Sequence, residues 1–118
     1  MPLTGSCHCG ATKFETDLRP EIVTRCTCSF CAKRGALWIY ARPDQFRLLT
    51  PVAAGRLYSP TNPENRHYFC STCGCATFSE TPDWSEPGRR RIAISAHLLD
   101  EIDIHGLPVE VLDGRNLW

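Results

Sequence analysis

The sequence of 118 residues lacks any apolar run near the ~20 residues that a membrane-spanning helix requires. Residues 1–6 contain neither a basic region nor an apolar stretch, so they do not resemble a secretory signal. Basic and acidic side chains number 13 each, and the formal net charge is zero. No overall charge therefore attracts nucleic acid or a membrane surface. We expect a cytoplasmic chain without a membrane or nucleic-acid partner.

Amphipathic helical periodicity is also missing, because no long window repeats apolar residues every three or four positions. Short alternating or β-branched segments are more frequent, and nine prolines and eight glycines separate them. The predicted strands cover residues 11–16, 37–41, 46–49, 56–59, 66–69, 77–79, 91–95, 102–104 and 109–111. In the strand 91–95 we expect Ile92 and Ile94 to face inward. The pattern predicts an all-β fold in a single domain, residues 1–118.

Eight cysteines stand in three tight clusters along the chain. The clusters are Cys7 and Cys9; Cys26, Cys28 and Cys31; and Cys70, Cys73 and Cys75. Cysteines this close rarely bridge each other, because a disulfide needs a particular Cα separation and angle. They can, however, direct two sulfurs at one metal ion. In a reducing compartment such clusters indicate metal binding or catalysis. The alternative is a disulfide framework, which an even number of cysteines permits.

The first and third clusters together predict a structural zinc site. Structural zinc has four ligands, often two close pairs from distant parts of the chain. Cys7 with Cys9, and Cys70 with Cys73, form two such pairs, which we call the four-cysteine cluster. Glycines beside them would let the backbone turn tightly around the ion. Cys75 is left over: it is either the fourth ligand of a second ion or a plain buried thiol, and on a strand it would face the same side as Cys73.

The middle cluster predicts a different kind of site. Cys26, Cys28 and Cys31, which we call the three-cysteine cluster, have no fourth cysteine close by in the sequence. Three protein ligands and one open position are typical of a catalytic zinc. Lys33 and Arg34 follow directly, and cations there can lower a thiol pKa or receive a substrate carboxylate. The alternative is a closed, second structural zinc site.

Other conspicuous residues favour structural roles. The four histidines are interpreted as surface or satisfied core residues; His67 is also a candidate hydrogen-bond donor to the neighbouring cysteine cluster, and His97 a candidate to line a cleft. For the basic run Arg89–Arg91 we expect a solvated loop entering a strand rather than an anion or nucleic-acid contact. Trp38 and Tyr40 are expected in the core, and the alternative is that they form an aromatic wall of a cleft.

Three motifs and the tail of the chain carry a family resemblance. They are Gly5-Ser6-Cys7-His8-Cys9-Gly10; Cys26-Thr27-Cys28-Ser29-Phe30-Cys31 followed by Lys33, Arg34 and Gly35; Tyr68-Phe69-Cys70-Ser71-Thr72-Cys73-Gly74; and the tail from Leu107 to Asn116. In this order and spacing they resemble the glutathione-dependent formaldehyde-activating enzyme family, which also includes centromere protein V.

The resemblance implies a β-tent fold of small antiparallel sheets held together by two zinc ions per chain. It places a structural zinc on the four-cysteine cluster and a catalytic zinc on the three-cysteine cluster. The implied activity is of the carbon–sulfur lyase type: glutathione or a similar small thiol joins reversibly with formaldehyde or a similar aldehyde, giving S-hydroxymethylglutathione. The rival interpretation is a zinc-built binding module without turnover that contacts a protein or nucleic acid.

Overall fold

Short strands dominate the computed structural model, which describes residues 2–51, 55–59, 63–83 and 85–117. The strands are β1 (Leu3–Ser6), β2 (Lys13–Thr16), β3 (Val23–Cys26), β4 (Trp38–Ala41), β5 (Phe46–Leu48), β6 (Gly55–Tyr58), β7 (Arg66–Cys70), β8 (Ala76–Pro82), β9 (Arg90–Ser95) and β10 (Val109–Leu112). The α-helices are α1 (Ser29–Arg34) and α2 (Gly114–Leu117), and 3₁₀ turns cover Pro43–Gln45, Ala96–Leu98 and Ile104–Gly106. The predicted all-β class is confirmed. None of the described helices is long and apolar enough to cross a membrane.

The strands of the described residues form two sheets. One has the order β1-β2-β5, and the other has the order β10-β3-β4-β9-β8-β7-β6. Neighbours run antiparallel with one exception: β10 lies parallel to β3. The expectation of antiparallel sheets therefore holds for every described pair but this one. A parallel pair needs a long crossover connection, and here the connection comprises most of the chain.

The main core lies between the small sheet and one face of the large sheet. Ile39 from β4 and Ile92 and Ile94 from β9 pack there against Phe14 of β2. Ile92 and Ile94 are 8% and 0% exposed, which confirms their predicted inward orientation. Because side chains alternate along a strand, the neighbours of these residues must point to the other face.

The opposite face of β4 and β9 contacts the three-cysteine cluster. Trp38 and Ala93 form a second buried cluster there with Cys26 and Cys31, and Tyr40 packs against it. The cysteines of this cluster come from the end of β3, which pairs with β4, and from the helix α1. The two faces of the same pair of strands thus separate the main core from a candidate functional site.

Two features of the fold differ from the sequence interpretation. Residues 102–104 do not form a strand, because the Asp103 carboxylate accepts a hydrogen bond from the His105 N–H and begins a 3₁₀ turn. Such local side-chain bonds compete with strand pairing. The strands β1 and β3 were not predicted, and they acquire their partners only from β2, β4 and β10. A single domain over residues 1–118 stays a prediction.

Candidate metal centres

The four-cysteine cluster has the dimensions of one metal site. Its four sulfurs all lie within 4.8 Å of one another; the Sγ atoms of Cys7 and Cys9 are 3.7 Å apart, and those of Cys9 and Cys70 are 3.6 Å apart. Tetrahedral ligands at a Zn–S distance of about 2.3 Å would be about 3.8 Å apart. All eight cysteines are described and none forms a disulfide, so the disulfide-framework alternative is wrong.

Two tight turns bring these sulfurs together. After β1, the Cys7 N–H donates to the Thr12 carbonyl at 3.0 Å. At the end of β7, the Cys70 N–H donates to the Cys75 carbonyl and its own carbonyl accepts from the Gly74 N–H, both at 2.9 Å. Gly74 has a φ of +79°, a left-handed conformation that glycine adopts without steric cost. The expected tight glycine turn is therefore present.

Backbone N–H groups favour the thiolate form in this cluster. The Thr72 N–H lies 3.4 Å from the Cys70 sulfur, and the N–H groups of Cys73 and Thr72 lower the pKa of Cys70. The pKa of Cys73 is lowered to about 5, first by the hydrogen bond from the Cys75 N–H. Because cysteine binds metal as its thiolate, the turn between β7 and β8 fits a zinc-ligand pair.

Cys75 lies beside this cluster but not on a strand. The strand β8 begins at Ala76, so the expectation that Cys73 and Cys75 share a strand face is wrong; both flank Gly74 in a turn. Cys75 is half-buried and packs against the main core. Cys75 is not among the residues whose sulfurs meet in the three-cysteine cluster, which favours its interpretation as a packed thiol.

The three-cysteine cluster forms where β3 turns into α1. Its three sulfurs lie within 4.8 Å of one another, and in the described part of the chain no histidine, carboxylate or fourth cysteine joins them. The Cys28 N–H is 3.5 Å from the Cys26 sulfur, and the Cys31 N–H is 3.4 Å from the Cys28 sulfur, where Cys28 caps α1. A short strand-to-helix turn is sufficient to bring these three ligands together.

Trp38 contacts the buried side of the three-cysteine cluster. The indole N–H of Trp38 donates to the Cys31 sulfur at 3.4 Å, and the ring is only 5% exposed, as predicted for a core residue. Burial raises the pKa of Cys31 to about 12, and the Trp38 hydrogen bond acts against that shift. A bound cation would displace the Cys31 proton, and the indole N–H would then stabilise the resulting thiolate.

An aromatic wall stands next to the three-cysteine cluster. The Phe30 ring of α1 is centred 4.1 Å from the His67 ring and 5.9 Å from the Tyr58 ring. The Nδ1 atom of His67 lies 2.8 Å from the Ser79 hydroxyl, so this nitrogen is engaged away from the thiols. Burial, and to a lesser extent Arg34, lowers the pKa of His67 to about 4. His67 is therefore a neutral wall residue at ordinary pH.

The other predicted residues lie around this wall. The Arg34 guanidinium is 4.7 Å from the centre of the Phe30 ring, and Lys33 is exposed on α1. His97 is exposed, and its Nε2 atom lies 3.1 Å from the Gly35 carbonyl. The substrate-binding role of Lys33 and Arg34 stays a prediction.

Arg91 is a candidate functional residue in the run for which the sequence interpretation preferred a solvated loop to an anion contact. Arg89 and Arg90 are exposed, as expected for a solvated run, but Arg91 is half-buried in β9. Its guanidinium carbon lies 3.9 Å from the centre of the Tyr40 ring. The alternation of side chains along β9 indicates this position, because Arg91 lies on the same face as Ala93 and on the opposite face from Ile92 and Ile94.

The fold and the two sulfur clusters define an all-β protein with two candidate thiolate metal sites, one of four ligands and one of three. The family model described as "Glutathione-dependent formaldehyde-activating enzyme" matches residues 2–110. The chain belongs to this family, which confirms the resemblance drawn from its motifs.

Two individual relatives agree with this assignment. A curated protein of Halomonas elongata, named "Putative glutathione-dependent formaldehyde-activating enzyme", is 35% identical over an alignment of 96 residues, and the match covers 73% of this chain and 60% of that protein. The matched part of the chain thus spans only 60% of the length of this relative. A crystal structure of a Rhodobacter sphaeroides protein has a TM-score of 0.75 and 29% identity, and the match covers 92% of this chain and 100% of that one.

Proposed function

We propose that the protein is a zinc-dependent enzyme of the carbon–sulfur lyase type, acting on a small thiol such as glutathione and an aldehyde such as formaldehyde. The observation that carries the proposal is the three-cysteine cluster, whose three sulfurs leave one position of a tetrahedral ion free for a substrate. Membership in a family named for glutathione and formaldehyde supports the choice of substrates. Because its thiols must stay reduced, we propose a cytoplasmic location.

The two clusters would hold two zinc ions with different roles. Sulfur spacing and N–H donors suit a closed structural ion in the four-cysteine cluster. The second ion would be bound by Cys26, Cys28 and Cys31, the proposed catalytic ligands. A zinc ion there supplies the positive charge that keeps a bound thiol in its thiolate form near neutral pH.

The reaction itself is an addition of a thiol to a carbonyl group. The thiol sulfur forms a bond to the aldehyde carbon, the carbonyl π bond breaks, and the proton lost by the thiol ends on the former carbonyl oxygen. The reverse reaction returns the thiol and the aldehyde. Placing the two reactants side by side removes much of the entropic barrier of this bimolecular step.

The residues of the chain would contribute positioning and exclusion of water. The indole N–H of Trp38 holds Cys31 in place. Phe30 and His67 form an apolar side to the site. Lys33 and Arg34, on the helix that contains Cys31, would add positive potential for an anionic substrate.

Metal analysis combined with thiol titration tests the proposal. We expect about two zinc ions per chain, and after cobalt replacement we expect glutathione to change the visible spectrum of one of the two ions. Formaldehyde should then be consumed faster with the protein than with glutathione alone. Two inert ions, unaffected by any thiol, would contradict the enzyme and point to the zinc-built binding module.

A further inference from the structure

An open groove lies where β4 ends and β9 begins. Its volume is about 710 Å³. Its lining includes Tyr40 and four arginines: Arg42, Arg89, Arg90 and Arg91. Tyr40 also packs against the buried residues around the three thiols. A molecule whose sulfur reached the cluster would therefore have this groove available for its remaining part.

Tyr40 belongs to both places, because it lines the groove and packs against the buried residues around the three thiols. Burial raises its pKa to about 12; Arg91 acts in the opposite direction, and Cys31, Cys26 and Cys28 raise it further. One phenol thus interacts with both the arginine and the three thiols. Arg91 therefore contacts the same ring that packs against the buried residues around the three thiols.

Three of the four arginines already have partners. Arg42 forms an ion pair with Asp44 at 3.1 Å, and Arg89 forms one with Glu86 at 2.6 Å. The Nη2 atom of Arg90 donates to a backbone carbonyl at 2.7 Å. These contacts partly neutralise or occupy the exposed cations of the groove. A free anion gains little by replacing them.

Arg91 is held differently. Its guanidinium lies over Tyr40 at 3.9 Å, and its Nε atom donates to the Thr81 hydroxyl at 3.2 Å. Among the described residues no carboxylate lies within 4.0 Å of it. The pKa of Asp83 is lowered mainly by hydrogen bonds from Ser85 and less by Arg91. The ring and the hydroxyl thus orient the guanidinium while leaving its terminal nitrogens available.

We propose that Arg91 is a specificity residue that binds a carboxylate of the thiol substrate, so that the protein selects small anionic thiols over neutral ones. The inference rests on the proposed function, because it uses the three-cysteine cluster as the binding position of the sulfur. Arginine suits the task because its planar fork binds a carboxylate through two parallel hydrogen bonds. Stacking on Tyr40 has already restricted the side chain, so less entropy is lost when the substrate binds.

Calorimetric titration of the zinc-loaded protein with S-methylglutathione tests the inference without any thiol chemistry. This probe retains the carboxylates of glutathione but cannot bind metal as a thiolate. We expect Arg91→Gln to weaken its binding about tenfold or more, since a charge-assisted bond is lost. Arg42→Gln removes an equally groove-lining but ion-paired arginine, and we expect a change of less than about twofold. Arg91→Lys should recover part of the affinity.

The neutral thiol 2-mercaptoethanol supplies the second arm. In the cobalt-substituted protein it should give the same spectral change in the wild type and in Arg91→Gln. A purely structural role of Arg91 would instead weaken both probes together and lower the melting temperature. If neither 2-mercaptoethanol nor glutathione perturbs cobalt in the wild type, the proposed function fails, whereas the S-methylglutathione titration still measures the anion site.

Three results would overturn the inference. The first is unchanged S-methylglutathione affinity in Arg91→Gln, and the second is absence of S-methylglutathione binding to the wild type. The third is a large loss of S-methylglutathione affinity in Lys33→Gln with no loss in Arg91→Gln, which would place the carboxylate-binding residue on α1. If Arg91→Gln does not fold, Arg91→Lys takes its place. An affinity for S-methylglutathione lower than that of Arg42→Gln would then support the inference, and an equal affinity would overturn it.

Discussion

The four-cysteine cluster and the three-cysteine cluster differ in the length of the chain segment that separates their ligands. Cys9 and Cys70 are 61 residues apart, and their sulfurs are 3.6 Å apart, whereas Cys26 and Cys31 lie within one strand-to-helix turn. Closing a loop of ~60 residues costs about 2 kcal/mol more entropy than closing one of about five. An unfolded chain therefore assembles the first cluster at a higher entropic cost than the second.

This difference assigns separate consequences to the two ions. A ligand that binds only the folded state stabilises it, and one that also binds the unfolded chain stabilises it less. An ion in the four-cysteine cluster would therefore support the fold. An ion in the three-cysteine cluster would contribute less to folding, which fits the catalytic role proposed for it.

The largest effect is expected from Cys73→Ser. Loss of one of four ligands should release the structural ion and remove most of the stability of the fold, because such ions contribute on the order of 10 kcal/mol to small zinc domains. Thermal unfolding and zinc content measure both consequences. The matched control is Cys75→Ser, two residues away, which should stay folded with two ions. A folded Cys73→Ser protein with two tightly bound ions would contradict the structural role of the four-cysteine cluster.

Cys28→Ser should separate chemistry from folding. We expect a folded protein that contains about one zinc ion per chain and no longer responds to glutathione, since one of three ligands is lost. Circular dichroism, metal analysis and the cobalt spectrum provide the readouts. Its control is Ser29→Ala, an exposed neighbour that should behave as the wild type. Destabilisation as severe as that of Cys73→Ser would contradict the assigned roles.

Trp38→Phe should affect the three-cysteine cluster alone. The substitution keeps an aromatic ring in the buried site but removes the N–H that donates to the Cys31 sulfur at 3.4 Å. Loss of such a supporting hydrogen bond typically costs about 10- to 100-fold in metal affinity. Competition with a chelator should show faster loss of one zinc ion and unchanged retention of the other. Equal loss of both ions would show that Trp38 acts through general stability.

The smallest expected effect is the pH dependence due to His67. Its pKa falls from 6.5 to about 4 on folding, mainly through burial, so the unfolded chain binds the proton more readily. Its contribution to stability is fully present above pH 6.5 and is lost as the pH falls toward 4. Denaturant titrations of His67→Gln should show a shallower decline over this range than the wild type. Parallel pH profiles would contradict the neutral, buried state of His67.

Local features of the site were accessible from the sequence. The spacing of Cys26, Cys28 and Cys31 predicted a common site, because residues so close in the chain cannot lie far apart in space. The alternation around Ile92 predicted which side chains of β9 enter the core. These predictions succeeded because each depends on backbone geometry over a few residues.

Other features depended on partners far away in the chain. The strand β3 pairs with β10 in parallel, and neither segment indicates that pairing by itself. Arg91 was expected in a solvated run, yet Tyr40 and Thr81 from neighbouring strands orient it. Residues 102–104 alternate like a strand, but the Asp103 side chain begins a turn instead.

The amino-acid sequence by itself thus determined the chemistry of the protein: two groups of thiols, one of them complete within a single turn, and a chain of short strands. The tertiary structure alone decided which distant thiols meet, which face of β4 and β9 contacts the three-cysteine cluster, and which arginine lies over Tyr40. The physical reason is that ligand type and short-range geometry are local properties, whereas long-range contacts follow from the burial of the whole core.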